Sequence, residues 1–139
     1  MIDVIVDTNV LVASLLKGNG PNRAALRKIL DPDMPLQLCY SSQIVDEYRD
    51  VLSRRLIVSR GLAPQAQALL DIVLEAGDEI VPKYVPAIVY PDEKDRPFLE
   101  AAVYVRGIIL TNNLRDFPFL GVTTVAPDEL LGWCETQGL

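Results

Sequence analysis

Short apolar runs alternate along the chain with longer stretches in which apolar positions recur every three or four residues. That alternation of periods predicts strands interleaved with amphipathic helices. In Met1–Leu11 a short β-branched run stands directly before Asp7-Thr8-Asn9, which predicts a buried strand delivering an acid to its carboxyl end. Val10–Leu16 predicts a short apolar helix stopped at Gly18-Asn19-Gly20-Pro21, and Asn22–Leu30 a second helix. Leu36–Tyr40 predicts a strand, and Ser41-Ser42 offers an N-cap for a helix from Gln43 to about Arg55. On that helix Ile44, Val45, Tyr48, Val51, Leu52 and Leu56 share one stripe, with Glu47 on its border. Ala63-Pro64 opens a further helix, closed by Gly77, and Glu79–Pro82 predicts a brief strand. Pro86 and Pro91 make Lys83–Asp92 a loop. Asp95 precedes Arg96-Pro97 as the N-cap of a helix that buries Phe98, Leu99, Ala102 and Val105 and ends at Gly107. Ile108–Thr111 predicts a buried strand running into Asn112-Asn113-Leu114-Arg115-Asp116-Phe117-Pro118, followed by a strand at Val122–Val125 and a helix from Pro127 to about Gln137.

Short strands alternating with helices predict an α/β fold, three-layer α/β/α, with a short central parallel sheet. The first and fourth strands then open on one edge, where ligands sit in open parallel sheets. The triplet after the first strand has a plain reading as well, because Asp and Asn are common helix N-caps and Thr8 or Asn9 can simply start the next helix.

Composition narrows the chemistry. With 139 residues, half of them hydrophobic, the chain can bury one good core, so a single domain over 1–139 is expected. No signal-like segment opens it and no apolar run approaches about 18 residues, which predicts a cytoplasmic protein off the membrane. Cys39 and Cys134 stand far apart in apolar surroundings, as reduced core thiols do. The chain has no histidine, which removes Ser-His-Asp hydrolysis, histidine-based RNA transphosphorylation and histidine-ligated zinc. A net charge of −6 and a pI near 4.6 exclude nucleic-acid binding by bulk electrostatics. What remains allowed is an acidic metal site served by local cations, among them Lys17, Arg23, Arg27, Arg54, Arg55 and Arg96. Arg54, Arg55 and Arg60 also suit a solvated helix end, and Gly18-Asn19-Gly20 follows a helix rather than a strand, so it is read as a turn and not a phosphate loop.

Asp7, Glu47 and Asp95 come from a strand end, a helix flank and a helix N-cap. Brought together they would repel, and a divalent cation with oxygen preference, Mg²⁺ or Mn²⁺, would resolve the repulsion and activate water without histidine.

Taken in order, strand-Asp7-Thr8-Asn9-Val10, a helical Glu47, Asp92-x-x-Asp95 before a helix, and Thr111-Asn112-Asn113-x-x-Asp116-Phe117 resemble the PIN-domain ribonucleases over nearly the whole chain. The resemblance is closest to the bacterial toxin components of toxin–antitoxin pairs, of the VapC-like kind. It implies Asp7 as the central bridging ligand, Glu47 and Asp95 as ligands directly or through water, and Asn9 and Thr111 as groups orienting ligands or water. It implies an RNA substrate, a small antitoxin protein as partner, and a homodimer. Asp92 stands as a peripheral ligand or a solvated loop residue. Members often carry a fourth acid two residues after the threonine, where this chain has Asn113. That departure leaves Asp116 to restore the charge, or to satisfy backbone donors in a tight turn. Arg54, Arg55 and Arg96 are the candidate phosphate contacts. A haloacid-dehalogenase-like phosphatase would need Asp where Asn9 stands, and a receiver-like domain would need an early acidic pair that is missing, although Lys83 follows Val81-Pro82. The non-enzymatic rival is a degraded PIN fold acting as an RNA- or protein-binding module.

Overall fold

The computed structural model describes residues 1–83, 92–114 and 122–139. Pro86, Pro91, Arg115 and Asp116 lie outside the described residues. In chain order the elements are β1 (Ile2–Val6), α1 (Thr8–Leu16), α2 (Pro21–Leu30), β2 (Leu36–Tyr40), α3 (Ser42–Leu52), α4 (Arg55–Ser59), α5 (Ala63–Ala76) and β3 (Asp78–Glu79). After them come a 3-10 turn (Glu93–Asp95), α6 (Arg96–Val105), β4 (Ile108–Leu110), β5 (Thr123–Val125), a second 3-10 turn (Pro127–Glu129) and α7 (Leu130–Thr136).

Among the described residues five strands form one parallel sheet in the order β3-β2-β1-β4-β5, flanked by helices in a three-layer α/β/α arrangement. β1 is central because it is buried on both faces: Val4, Ile5 and Val6 are wholly inaccessible, as are Ile109 and Leu110 beside them. A continuous apolar run is what a parallel strand covered on both sides requires. From β1 the chain winds outward through β2 and β3, then β4 and β5 take the opposite flank, so the order reverses between β1 and β4. In doubly wound sheets that reversal opens a crevice at the carboxyl ends. Val6 pairs with Leu110, and the next residues on the two strands are Asp7 and Thr111. Among the described residues no helix is long and apolar enough to cross a membrane.

Several boundaries differ from the expectation, each for a local reason. The predicted helix to Arg55 ends at Leu52, and Arg55 begins α4 instead. Leu56, expected on the buried stripe, is 47% exposed, and Ile57 is buried in its place. Arg55 therefore stands at a helix start, where its charge opposes the dipole instead of complementing it. β3 covers Asp78–Glu79 rather than Glu79–Pro82; Ile80 N–H still donates to Tyr40 O at 2.8 Å, but Pro82 has no N–H to continue. Gly77 and Gly107 end helices without adopting the left-handed cap. Arg106 holds that conformation at φ 55°, while a Cβ on Gly107 would lie 2.1 Å from Asp3 O and one on Gly77 would strike Tyr40 and Leu38. The two glycines are required by close packing rather than by φ.

Candidate active site at the reversal of the sheet

Asp7 occupies the N-cap position of α1 and Thr8 is the first helical residue, so the plain reading of the triplet is right about position. It is wrong about the side chain. The Asp7 carboxylate makes no capping bond of ordinary geometry. Its Oδ2 accepts instead from Thr111 Oγ1 at 2.8 Å and from Asn9 Nδ2 at 3.1 Å. Thr111 is 0% exposed and Asp7 8%, so both belong to the floor of the crevice. The fold delivers them together through the β1–β4 pairing, reinforced where Asp7 N–H donates to Leu110 O at 2.9 Å.

Burial raises the Asp7 pKa above 3.8, the Thr111 hydroxyl bond opposes that rise, and the nearby Glu47 charge adds to it. The backbone N–H groups of Asn9 and Thr8 face the carboxylate and lower it slightly. Among the described residues Asp7 forms no ion pair with a Lys or Arg. A desolvated acid beside a second acid, without a protein cation, is an arrangement that a bound cation would relieve.

Glu47 reaches the site from α3. The Thr8 hydroxyl donates to its Oε2, and the adjacent Tyr48 hydroxyl donates to Val6 O at the end of β1. Tyr48 is wholly buried and its phenol is pushed well above the ordinary value, chiefly by burial, so it serves as a permanent donor that fixes the rotation of α3. Glu47 is half-buried, as its place beside the stripe predicts.

Asp95 ends the 3-10 turn leading into α6, whose chain then descends to β4; this puts Asp95 at the carboxyl edge of the sheet. Among the described residues, however, no three acidic or thiol side chains converge into a group able to hold a metal ion, so Asp95 does not complete a three-acid cluster with Asp7 and Glu47. Nor does it cap α6 through its side chain. Asp92 is exposed and accepts from Lys94 N–H at 3.0 Å, an ordinary cap of the 3-10 turn.

In the turn after β4, Asn113 N–H donates to Thr111 Oγ1 at 3.0 Å and its side chain is exposed. Asp116, its rival for the fourth position, lies outside the described residues. Sequence reasoning missed two members of the same network, Asn112 and the buried Asn22, joined by a 2.7 Å bond across 90 residues.

The candidate phosphate contacts are not all free. Arg54 pairs with Asp50 at 2.7 Å, both exposed. Arg96 pairs with Glu100 at 2.5 Å and Glu93 at 3.4 Å. These three line a cavity of about 560 Å³ together with Ser41, Gln43 and Glu79, between the starts of α3 and α6. Asp7 and Glu47 lie outside it. Cys39 and Cys134 are buried and free, as expected, and burial pushes the Cys39 thiol up to about 12.

No curated protein sequence matches the chain. Among solved structures it is similar to a chain in the crystal structure of VapBC2 from Rickettsia felis bound to a DNA fragment from their promoter. That match has 16% identity and a TM-score of 0.61, covering 90% of this chain and 98% of that one. It is also similar to a chain in the 2.2 Å structure of VapBC-1 from nontypeable Haemophilus influenzae, at 11% identity and a TM-score of 0.61 over 91% and 98%. At these identities the likeness is one of fold. The PIN domain family model matches residues 3–115, from the strand that carries Asp7 through the turn after Thr111, and the chain belongs to that family.

Proposed function

We propose that this protein is a divalent-metal-dependent ribonuclease that hydrolyses RNA phosphodiester bonds at the β1–β4 crevice, acting as one domain over residues 1–139. The observation that carries the proposal is the buried Asp7 carboxylate, held by Thr111 and Asn9 and close enough to Glu47 to feel its charge, with no ion-pair partner among the described residues.

The donor set fits Mg²⁺ or Mn²⁺, since Mg²⁺ is commonly held by one or two carboxylates with waters and substrate phosphate completing its shell. When bound there, the ion supplies Lewis-acid polarisation of the phosphodiester and acidification of water. Asp7 and Glu47 would hold it directly, and Asp95 would contribute through water. Thr111 and Asn9 fix the Asp7 carboxylate; Thr8 fixes that of Glu47. Asn113 would orient water there without bringing charge. Arg54 and Arg55 neutralise substrate phosphates, and Arg96 does so only after yielding a glutamate partner.

Family membership and the fold likeness to chains of VapBC2 and VapBC-1 support a toxin role with a small antitoxin protein as partner, and the proposal includes a homodimeric state and a cytoplasmic location. Incubation of the purified full chain with RNA and Mn²⁺ should give cleavage that EDTA stops and added Mn²⁺ restores; undiminished cleavage in chelator refutes the mechanism.

A second reading rests on the lack of a three-acid group among the described residues and on Asn113 replacing an acid. In it the fold binds RNA or protein without cutting. Its signature is RNA retention that is indifferent to metal and to Asp7→Asn.

A further inference from the structure

Asn22 is the second residue of α2 and is only 6% exposed. A buried amide needs a partner, and the one it has lies far along the chain: Asn22 Oδ1 accepts from Asn112 Nδ2 at 2.7 Å. Asn112 is itself exposed, and its backbone N–H donates to Asn9 Oδ1 at 3.2 Å. A carboxamide whose oxygen is engaged by a backbone donor has one orientation left, with its NH₂ group on the other side. Asn9 therefore presents Nδ2 to Asp7 Oδ2 at 3.1 Å, on the same oxygen that takes the Thr111 hydroxyl.

We infer that Asn22 is a positioning residue for the Asp7 centre: through Asn112 it holds the turn after β4, the turn sets the sense of the Asn9 amide, and that amide sets the donors on Asp7. The inference deepens the proposed metal site and rests on it for its functional consequence, while the bridge itself is independent of metal. It also assigns α2, which supplies no acid, a part in the site. A helix-start residue with no such part would touch only the stability of α2.

The test uses the full chain and two readouts. In metal-free protein, amide hydrogen exchange at Asn112 should speed up by about 5- to 10-fold in Asn22→Leu, the effect of losing one net hydrogen bond, while amides of β1 and β4 keep their rates. Mn²⁺ titration calorimetry should show binding weakened by about 3- to 10-fold, within the range for removing an outer support of a metal ligand or below it. Asn22→Asp keeps the accepting oxygen and should restore both. In an Asn112→Ala background, Asn22→Leu should add nothing, because the two variants break one link. Should Asn22→Leu not fold, Asn112→Ala breaks the same bridge from its exposed side and must give the same exchange and Mn²⁺ changes. Unchanged exchange at Asn112, or full additivity of the two variants, overturns the inference. If the wild type takes up no Mn²⁺, the metal reading of Asp7 fails, and the exchange rates still decide whether Asn22 holds the turn.

Discussion

Asp7 stands where a helix cap stands but turns its carboxylate toward the neighbouring strand, and the consequences can be measured. Its raised pKa means that the ionised form costs stability: the contribution is favourable below about 3.8 and is lost as pH rises through the raised folded value. Asp7→Asn should therefore hold or raise the metal-free melting temperature at neutral pH and leave it unchanged or lower near pH 3. It should also reduce cleavage by about 100-fold or more, since outer supports of metal sites alone are worth about 10- to 100-fold. Thr111→Val is nearly isosteric and removes the donor that opposes the rise, so the acid limb of the pH–rate profile should move to higher pH and Mn²⁺ affinity should fall by about 10-fold. Normal cleavage by the first variant, or an unmoved acid limb in the second, would return these residues to a structural role. Asp7, Asn9 and Thr111 were legible because strand-to-polar junctions are short-range signals. Asn22 was not, because a polar residue in a first helical turn looks the same whether it faces water or a partner 90 residues away.

Among elements, the strands were more legible than the helix ends. The strand expected directly before Asp7 and the one at Leu36–Tyr40 came out as expected, since short apolar runs between polar turns have few alternatives. The end of α3 did not, because the apolar period continues past Leu52 while Ser53 and Arg54 break the helix, and tertiary burial then selects Ile57 over Leu56. The α6–β4 junction divides two roles that sequence merges in Gly107. Arg106 takes the left-handed turn and Gly107 takes the tight approach to β1. Arg106→Gly should stabilise the protein by about 1 kcal/mol by relieving the left-handed cost. Gly107→Ala should destabilise it by about 3 kcal/mol, the upper range for forced overpacking, because the obstacle is backbone and cannot swing aside. Urea unfolding of the two variants checks both signs; a stable Gly107→Ala would mean that β1 and β4 can part there.

At the scale of the whole molecule, a net charge of −6 has to be reconciled with the anionic substrate proposed for the crevice. The solution open to this fold is local: exposed arginines on the α3–α4 turn, of which Arg54 is loosely tied to Asp50. An exposed pair contributes under about 1 kcal/mol, so a phosphate can displace it. Arg54→Ala combined with Arg55→Ala should weaken RNA binding and flatten the log–log salt slope by about 1.4, two contacts at about 0.7 each for single strands. An unaltered slope would leave both as solvated charges. The overall architecture was legible because the order of periods alone dictates a parallel α/β sheet, whereas the convergence of particular acids was not, since it depends on how far each helix descends past the crevice. The pairing of Asp7 with Thr111 also sets a timetable. The two lie 104 residues apart in the chain yet share one hydrogen bond. A nascent polypeptide emerging at about 5–20 residues per second therefore carries Asp7 for about 5–20 s before Thr111 is joined to it. Throughout that interval the Asp7 carboxylate is without its buried donor, so the activity proposed for the crevice has to wait until Thr111 is in place.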